Sequence, residues 1–174
     1  VSKLIYAGIG PRQTPLSVCE TMVHAARELD KLGWTVRSGH AQGADQAWEL
    51  GHHLCRREIY LPWNGFNDGH GPGIFVSPPS PALEAVAQLV HPRWDYISQG
   101  AKKLMMRNVS IILGHNLNDP VKFVAYWSPD RKVQGGTGNA IRLAQSYSIP
   151  TFNIGFEDEQ EAMTAFINTF EQST

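Results

Sequence analysis

The sequence has no apolar run approaching the ~18 residues of a membrane span, and neither sign of charge prevails. Fifteen Lys and Arg stand against 16 Asp and Glu, for a formal net charge of −1. The first absence argues against a bilayer helix. The second removes the broad positive field that draws a dedicated nucleic-acid binder onto phosphates, so DNA is not expected as a partner. There are only two cysteines, Cys19 and Cys55, too few for a disulfide framework. Both fall in stretches that read as helices, and buried free thiols are expected. No charged and then apolar leader with a cleavage site opens the sequence, and a cytoplasmic protein is expected. The seven histidines show no metal-ligand spacing. His52, His53 and Cys55 crowd one helix, but successive residues point to different faces, so no metal is expected.

What is present is a globular composition, with 42% hydrophobic and 18% charged residues over 174 positions. That suits one domain covering residues 1–174. Lys3 to Ala7 is a short apolar run ending at Gly8, which predicts a buried strand. Leu16 to Leu32 carries apolar residues at 3–4 spacing and stops at Gly33, which predicts a helix. Trp34 to Arg37 predicts a second strand, Gly43 to Leu54 a helix, and Glu58 to Leu61 a third strand. Asn64 to Pro81, rich in Gly and Pro, reads as a long irregular loop, a lid or a disordered segment. Further helices are predicted at Ala82–Val90, Ile97–Val109, Gly138–Tyr147 and Glu157–Phe170. Further strands are predicted at Ser110–Leu113, Val121–Tyr126 and Thr151–Ile154. Strand and helix alternating with short connections is the signature of parallel βαβ units. The expected fold class is therefore α/β, a three-layer sandwich with a mostly parallel sheet.

Three glycine-bearing loops follow predicted strands, at the sheet edge where open parallel sheets bind ligands. In the first, Gly8 and Gly10 let backbone approach a ligand and Arg12 offers a fork for phosphate. In the second, Ser38, Gly39 and Gly43 supply backbone donors. Asp45 there either complements the following helix dipole or receives ribose hydroxyls. In the third, Gly135, Gly136, Thr137 and Gly138 open a helix whose free amides suit an anion. Trp63, Trp94 and Trp127 are candidates for stacking on a base, though single tryptophans more often pack a core.

These loops resemble a known family. The segments from Ile5 to Pro15, from Ser38 to Asp45 and from Gly135 to Gly138 look like the Rossmann-like superfamily that unites the Lonely Guy phosphoribohydrolases, the DNA-processing protein DprA and the SLOG ligand-sensor domains. The resemblance runs from about Lys3 to Gly155 and is nearest to small stand-alone, bacteriophage-type DprA-like members. Arg107 and Asn108 are similar to an Arg-Asn pair ahead of the fourth strand in one branch. The resemblance implies a Rossmann-like fold and a homo-oligomer, and it offers three activities.

The Lonely Guy signature ends in a catalytic Glu, and Arg142 stands at that position here. A permanently charged guanidinium cannot serve as acid or base but can pair with a phosphate. The expectation is therefore binding without catalysis or cofactor. The expected ligand is a nucleotide-derived small molecule of the ADP-ribose, cyclic ADP-ribose or second-messenger class, sequestered as a host immune signal. The alternatives are a phosphoribohydrolase, with Asp45 and Glu49 as its carboxylates, and a DprA-like single-stranded DNA binder.

Overall fold

The computed structural model describes residues 3–172. The elements run β1 (Ile5–Gly8), α1 (Leu16–Lys31), β2 (Thr35–Ser38), α2 (Ala44–Leu50), β3 (Arg57–Leu61), β4 (Ile74–Val76), α3 (Pro81–Val90), α4 (Gln99–Leu113), β5 (Val124–Tyr126), α5 (Gly135–Ser146), β6 (Thr151–Asn153) and α6 (Glu157–Glu171). The six strands form one sheet in the order β4-β3-β2-β1-β5-β6, and every neighbouring pair is parallel.

Alternation along the strands divides the interior into two cores. Ile5 and Ala7 of β1 point to one face, where they meet Leu83 and Ala87 of α3, Val109 and Ile112 of α4, and Ile141 of α5. Tyr6 points to the other, where it meets Met22 and Ala26 of α1, Trp48 of α2, and Met163 and Ile167 of α6. Tyr6 stacks on Phe123 with ring centroids 5.1 Å apart, and Trp34 meets Phe123 edge-on at the same distance. The result is the expected three-layer Rossmann-like sandwich. Local signals set its joints. Ser80 and Ser98 each accept an amide bond from the first turn of the helix they precede, α3 and α4, as side-chain caps do.

Several expectations need correction. Ser110–Leu113 is not a strand but the last turn of α4. The helix expected over Gly43–Leu54 is only seven residues long, followed by a 3-10 turn at Leu54–Arg56, and Cys55 in that turn is an exposed thiol. The segment read as a structureless loop holds a 3-10 turn at Phe66–Asp68 and the edge strand β4. Among the described residues, no helix is long and apolar enough to cross a membrane.

Candidate functional site

The chain leaves β1 toward β2, β3 and β4, then returns to place β5 on the other side of β1. At such a reversal the loops leaving the two central strands diverge and open a crevice at their carboxyl ends. A cavity of about 430 Å³ occupies that place, within the ~300–1,000 Å³ typical of sites for small organic groups. Its walls are residues 9–12 after β1, Ala41 and Asp45 after β2, Trp63 and Phe66 after β3, one flank of α4, and the first turn of α5.

Arg107 of α4 ties these loops together. It is 4% exposed. Its Nη1 donates to the carbonyls of Gly39 at 2.5 Å and Tyr60 at 3.1 Å, and its Nε to Asn108 Oδ1 at 3.0 Å. One guanidinium thus ties the start of the loop after β2 to the end of β3. It also lies over the Phe66 ring, 5.5 Å from its centroid, and Trp63 meets that ring edge-on at 5.2 Å. The aromatic wall of the crevice therefore rests on a buried cation. Gly39 carries no side chain because a Cβ there would collide with this guanidinium.

Asp45 is buried beside it and lines the cavity. Its Oδ2 accepts the Ala41 amide at 3.2 Å, and among the described residues no side chain donates to it. Burial pushes its carboxyl up to about 6, against the opposing pull of Arg107. One turn along α2, Glu49 accepts from His40 Nδ1 at 2.8 Å, while its Oε1 is buried without a hydrogen-bond partner. Burial raises its pKa as well. His40 itself sits at φ 58°, a left-handed backbone that non-glycine residues adopt rarely. Nothing in the sequence pattern singled out His40, Phe66 or the apolar walls Ile9, Met105 and Ala140.

Of the sequence-proposed residues, Gly10, Arg12, Asp45, Arg107, Asn108, Gly135, Gly136 and Thr137 come together around the cavity. Arg12 is exposed at its rim. Asn108 Nδ2 donates to the Gly136 carbonyl at 3.4 Å, joining α4 to α5. The others stand behind the walls. Gly8 packs against Trp48, and Gly43, at φ +83°, against the backbone of Arg12. Ser38 donates to the Gly8 carbonyl at 2.6 Å, and Gly138 donates its amide to Gln134 at 3.0 Å. Arg142 does not reach the cavity. Because α5 begins at Gly135, Arg142 lies about 10 Å down the helix axis, where it donates to Val90 of α3 and to Asn139. Trp94 is buried in the core and Trp127 packs beside Gly155. Only Trp63 of the three tryptophans lines the crevice.

No protein-family model and no curated protein matches the chain. Among solved structures it is similar to DNA processing protein A from Helicobacter pylori, described for its single-stranded DNA binding mode. The TM-score is 0.64 at 22% identity, over 99% of this chain and 82% of that one. The chain has a DprA-like Rossmann fold. This finding corrects two expectations. Nothing supports a nucleotide-derived small molecule as ligand, and DNA cannot be set aside, since the protein that shares the fold binds it as a single strand. The net charge misled because it averages over the whole chain. Glu157, Asp158 and Glu159 open α6 and none of them lines the crevice, whose walls hold two arginines and one carboxylate.

Proposed function

We propose that this chain binds single-stranded DNA across the β1–β5 crevice, with one nucleotide seated in the cavity. The reading sides with the DNA-processing branch of the superfamily rather than its ligand-sensing branch. It is carried by one juxtaposition: anion donors and an aromatic wall share the same opening. Arg12 makes no side-chain hydrogen bond or ion pair among the described residues, so its guanidinium is free for a phosphate. The first amides of α5 have no intrahelical acceptors and carry the positive end of the helix dipole. Trp63, 39% exposed, offers a ring on which a base can stack. Single-strand binders combine these two elements, cationic contacts to the backbone and an aromatic stacking platform.

Duplex DNA keeps its bases paired and cannot offer one to a cavity, so the reading includes a preference for single strands. The test is fluorescence anisotropy with a labelled oligothymidine and a duplex of equal length across a salt series. Salt-sensitive binding of the single strand, weakened by Arg12→Ala, is expected. Absence of binding to the single strand at low salt overturns the reading.

A further inference from the structure

We propose that the crevice selects guanine, with the base's N1–H and N2–H2 donating to the Asp45 carboxylate. The inference rests on the single-stranded DNA reading and names the base that the same site takes.

It begins with the uneven distribution of charge in the cavity. The anion donors, Arg12 and the first turn of α5, belong to the loop after β1 and to one helix end, whereas the first turn of α2 contributes a carboxylate. A phosphate placed against that carboxylate would be repelled. A neutral base with N–H donors on its edge would be held. Asp45 also has unmet acceptor capacity. A carboxylate offers about four lone-pair positions, and here backbone amides of Ala41 and Gly39 approach it. Arg107 offsets its charge, but the Nη1 and Nε of that arginine donate to Gly39, Tyr60 and Asn108 and not to the carboxylate. A buried carboxylate without a side-chain donor, facing a cavity, lacks the partner that buried charges normally have.

The four bases differ in what they can offer such a group. Guanine presents two adjacent donors on its Watson–Crick edge, matching the two carboxylate oxygens. Adenine and cytosine each present one amine donor beside a ring nitrogen acceptor, whose lone pair would face the second oxygen. Thymine presents one donor between two carbonyls. Ile9, Met105 and Ala140 supply apolar walls for the ring faces, and Trp63 stands at the same opening.

The experiment uses the full chain and oligothymidines carrying one central dG, dI, dA or dC, a design that prevents four-stranded guanine structures. The dG oligonucleotide is expected to bind at least about tenfold tighter than the all-thymine one, the scale of a good bidentate contact. The dI oligonucleotide, lacking the N2 amine, should fall between them. Asp45→Asn should collapse the dG preference and raise dA and dC relative to dG, because an amide sets a donor beside an acceptor. Arg12→Ala should weaken every oligonucleotide while keeping their order. Should Asp45→Asn fail to fold, the dG, dI and dT series on the unaltered protein still decides. Equal affinity for all bases overturns the guanine assignment and leaves single-strand binding standing. Binding to none of them overturns both.

Discussion

Two arginines are buried in this chain on the face of the sheet that α4 covers, and the difference between their surroundings separates scaffold from site. Arg37, on β2, is 1% exposed. Its Nε lies 3.2 Å from Glu58, and its Nη2 donates to Asp119 at 2.6 Å. A second Asp119 contact, the backbone carbonyl, completes the set at 2.6 Å, and Lys3 closes the far side of Glu58 at 2.6 Å. Each of the three Arg37 nitrogens has a charged or carbonyl partner there. Arg107 instead donates to one loop carbonyl, one strand carbonyl and a neighbouring amide, and the carboxylate that acts most strongly on its charge, Asp45, opens onto a cavity. Around Arg107 gather an orphaned Glu49 oxygen, a left-handed His40 and an unpaired Arg12. A buried charge that is fully partnered fastens β2 to β3 and to the loop before β5. One whose neighbours are left incomplete shapes a surface for something else.

Breaking the first cluster should produce the largest effect. Arg37→Met leaves Glu58 partly buried without its guanidinium. Removal of one partner from a buried ion pair costs about 3–5 kcal/mol, and the lower end is expected because Asp119 reaches solvent. Urea unfolding should show this loss while the DNA affinity of the folded protein stays within about twofold. A parallel fall in affinity would mean that the two arginines do not divide labour.

Acid sharpens the contrast next. Asp45 has its carboxyl raised from 3.8 to about 6, so the folded state holds a proton that the unfolded state has released, and this group's contribution to stability is lost as pH rises from about 4 through 6. His52, buried against Tyr6 with its Nε2 2.7 Å from the phenol oxygen, has its pKa lowered by burial from 6.5 to about 4. Its contribution is present above 6.5 and lost as pH falls through 4. Each shift corresponds to about 3 kcal/mol at ~1.4 kcal/mol per pH unit, and the signs oppose. The contributions of these two groups should therefore largely cancel between pH 4 and 6. Asp45→Asn should give a curve that rises with pH, and His52→Gln one that falls. Slopes of the same sign in both variants would contradict this assignment.

Smaller effects should follow at the crevice rim. Arg12→Ala should lower single-strand affinity by about 2 kcal/mol, the scale of a hydrogen bond to a charged group. It should also flatten the logarithmic salt slope by about 0.7. Its stability should move by less than about 0.5 kcal/mol, as for surface positions generally. Trp63→Ala should cost about 1 kcal/mol of affinity, the low end of base stacking for a half-exposed ring, and Trp63→Phe should restore most of it. An unchanged affinity would leave Trp63 as packing for Phe66 alone.

The alternation of strands and helices was legible in the sequence because periods of 2 and about 3.6 differ strongly over whole elements. It failed where an element was short or buried all round. Ser110 to Leu113 is uniformly apolar save its serine, and all four residues are buried, so nothing in the pattern separates a helix end from a core strand. Ile74–Val76 is a three-residue edge strand between glycines and prolines, too brief to show alternation. At the site, the glycine loops, Arg12 and Asp45 were visible from their chemistry, whereas Arg107 and Asn108 were visible only through the family resemblance. Arg142 was misplaced because motif spacing was counted without knowing that α5 starts three residues before Gly138. Phe66 and His40 were hidden because aromatic and histidine residues in a loop carry no periodicity, and only the fold reveals what they face.

The position of β1 in the sheet has a consequence for how the chain reaches this state. β1, β2 and β3 each pair with their successor in chain order, closing a modest loop, whereas Ala7 must wait for Val124 and Gly8 for Ala125. Contacts between such distant partners are formed slowly, because chain entropy is surrendered before they return anything. During refolding, a half-made sheet would therefore display the naked edge of β1, a template for pairing with another chain. Pulse-labelled hydrogen exchange should find the amides of β2 and β3 protected before those of β5. Aggregation during refolding should grow with protein concentration over that same interval, and the crevice, built across the last seam to close, should be the final feature to mature.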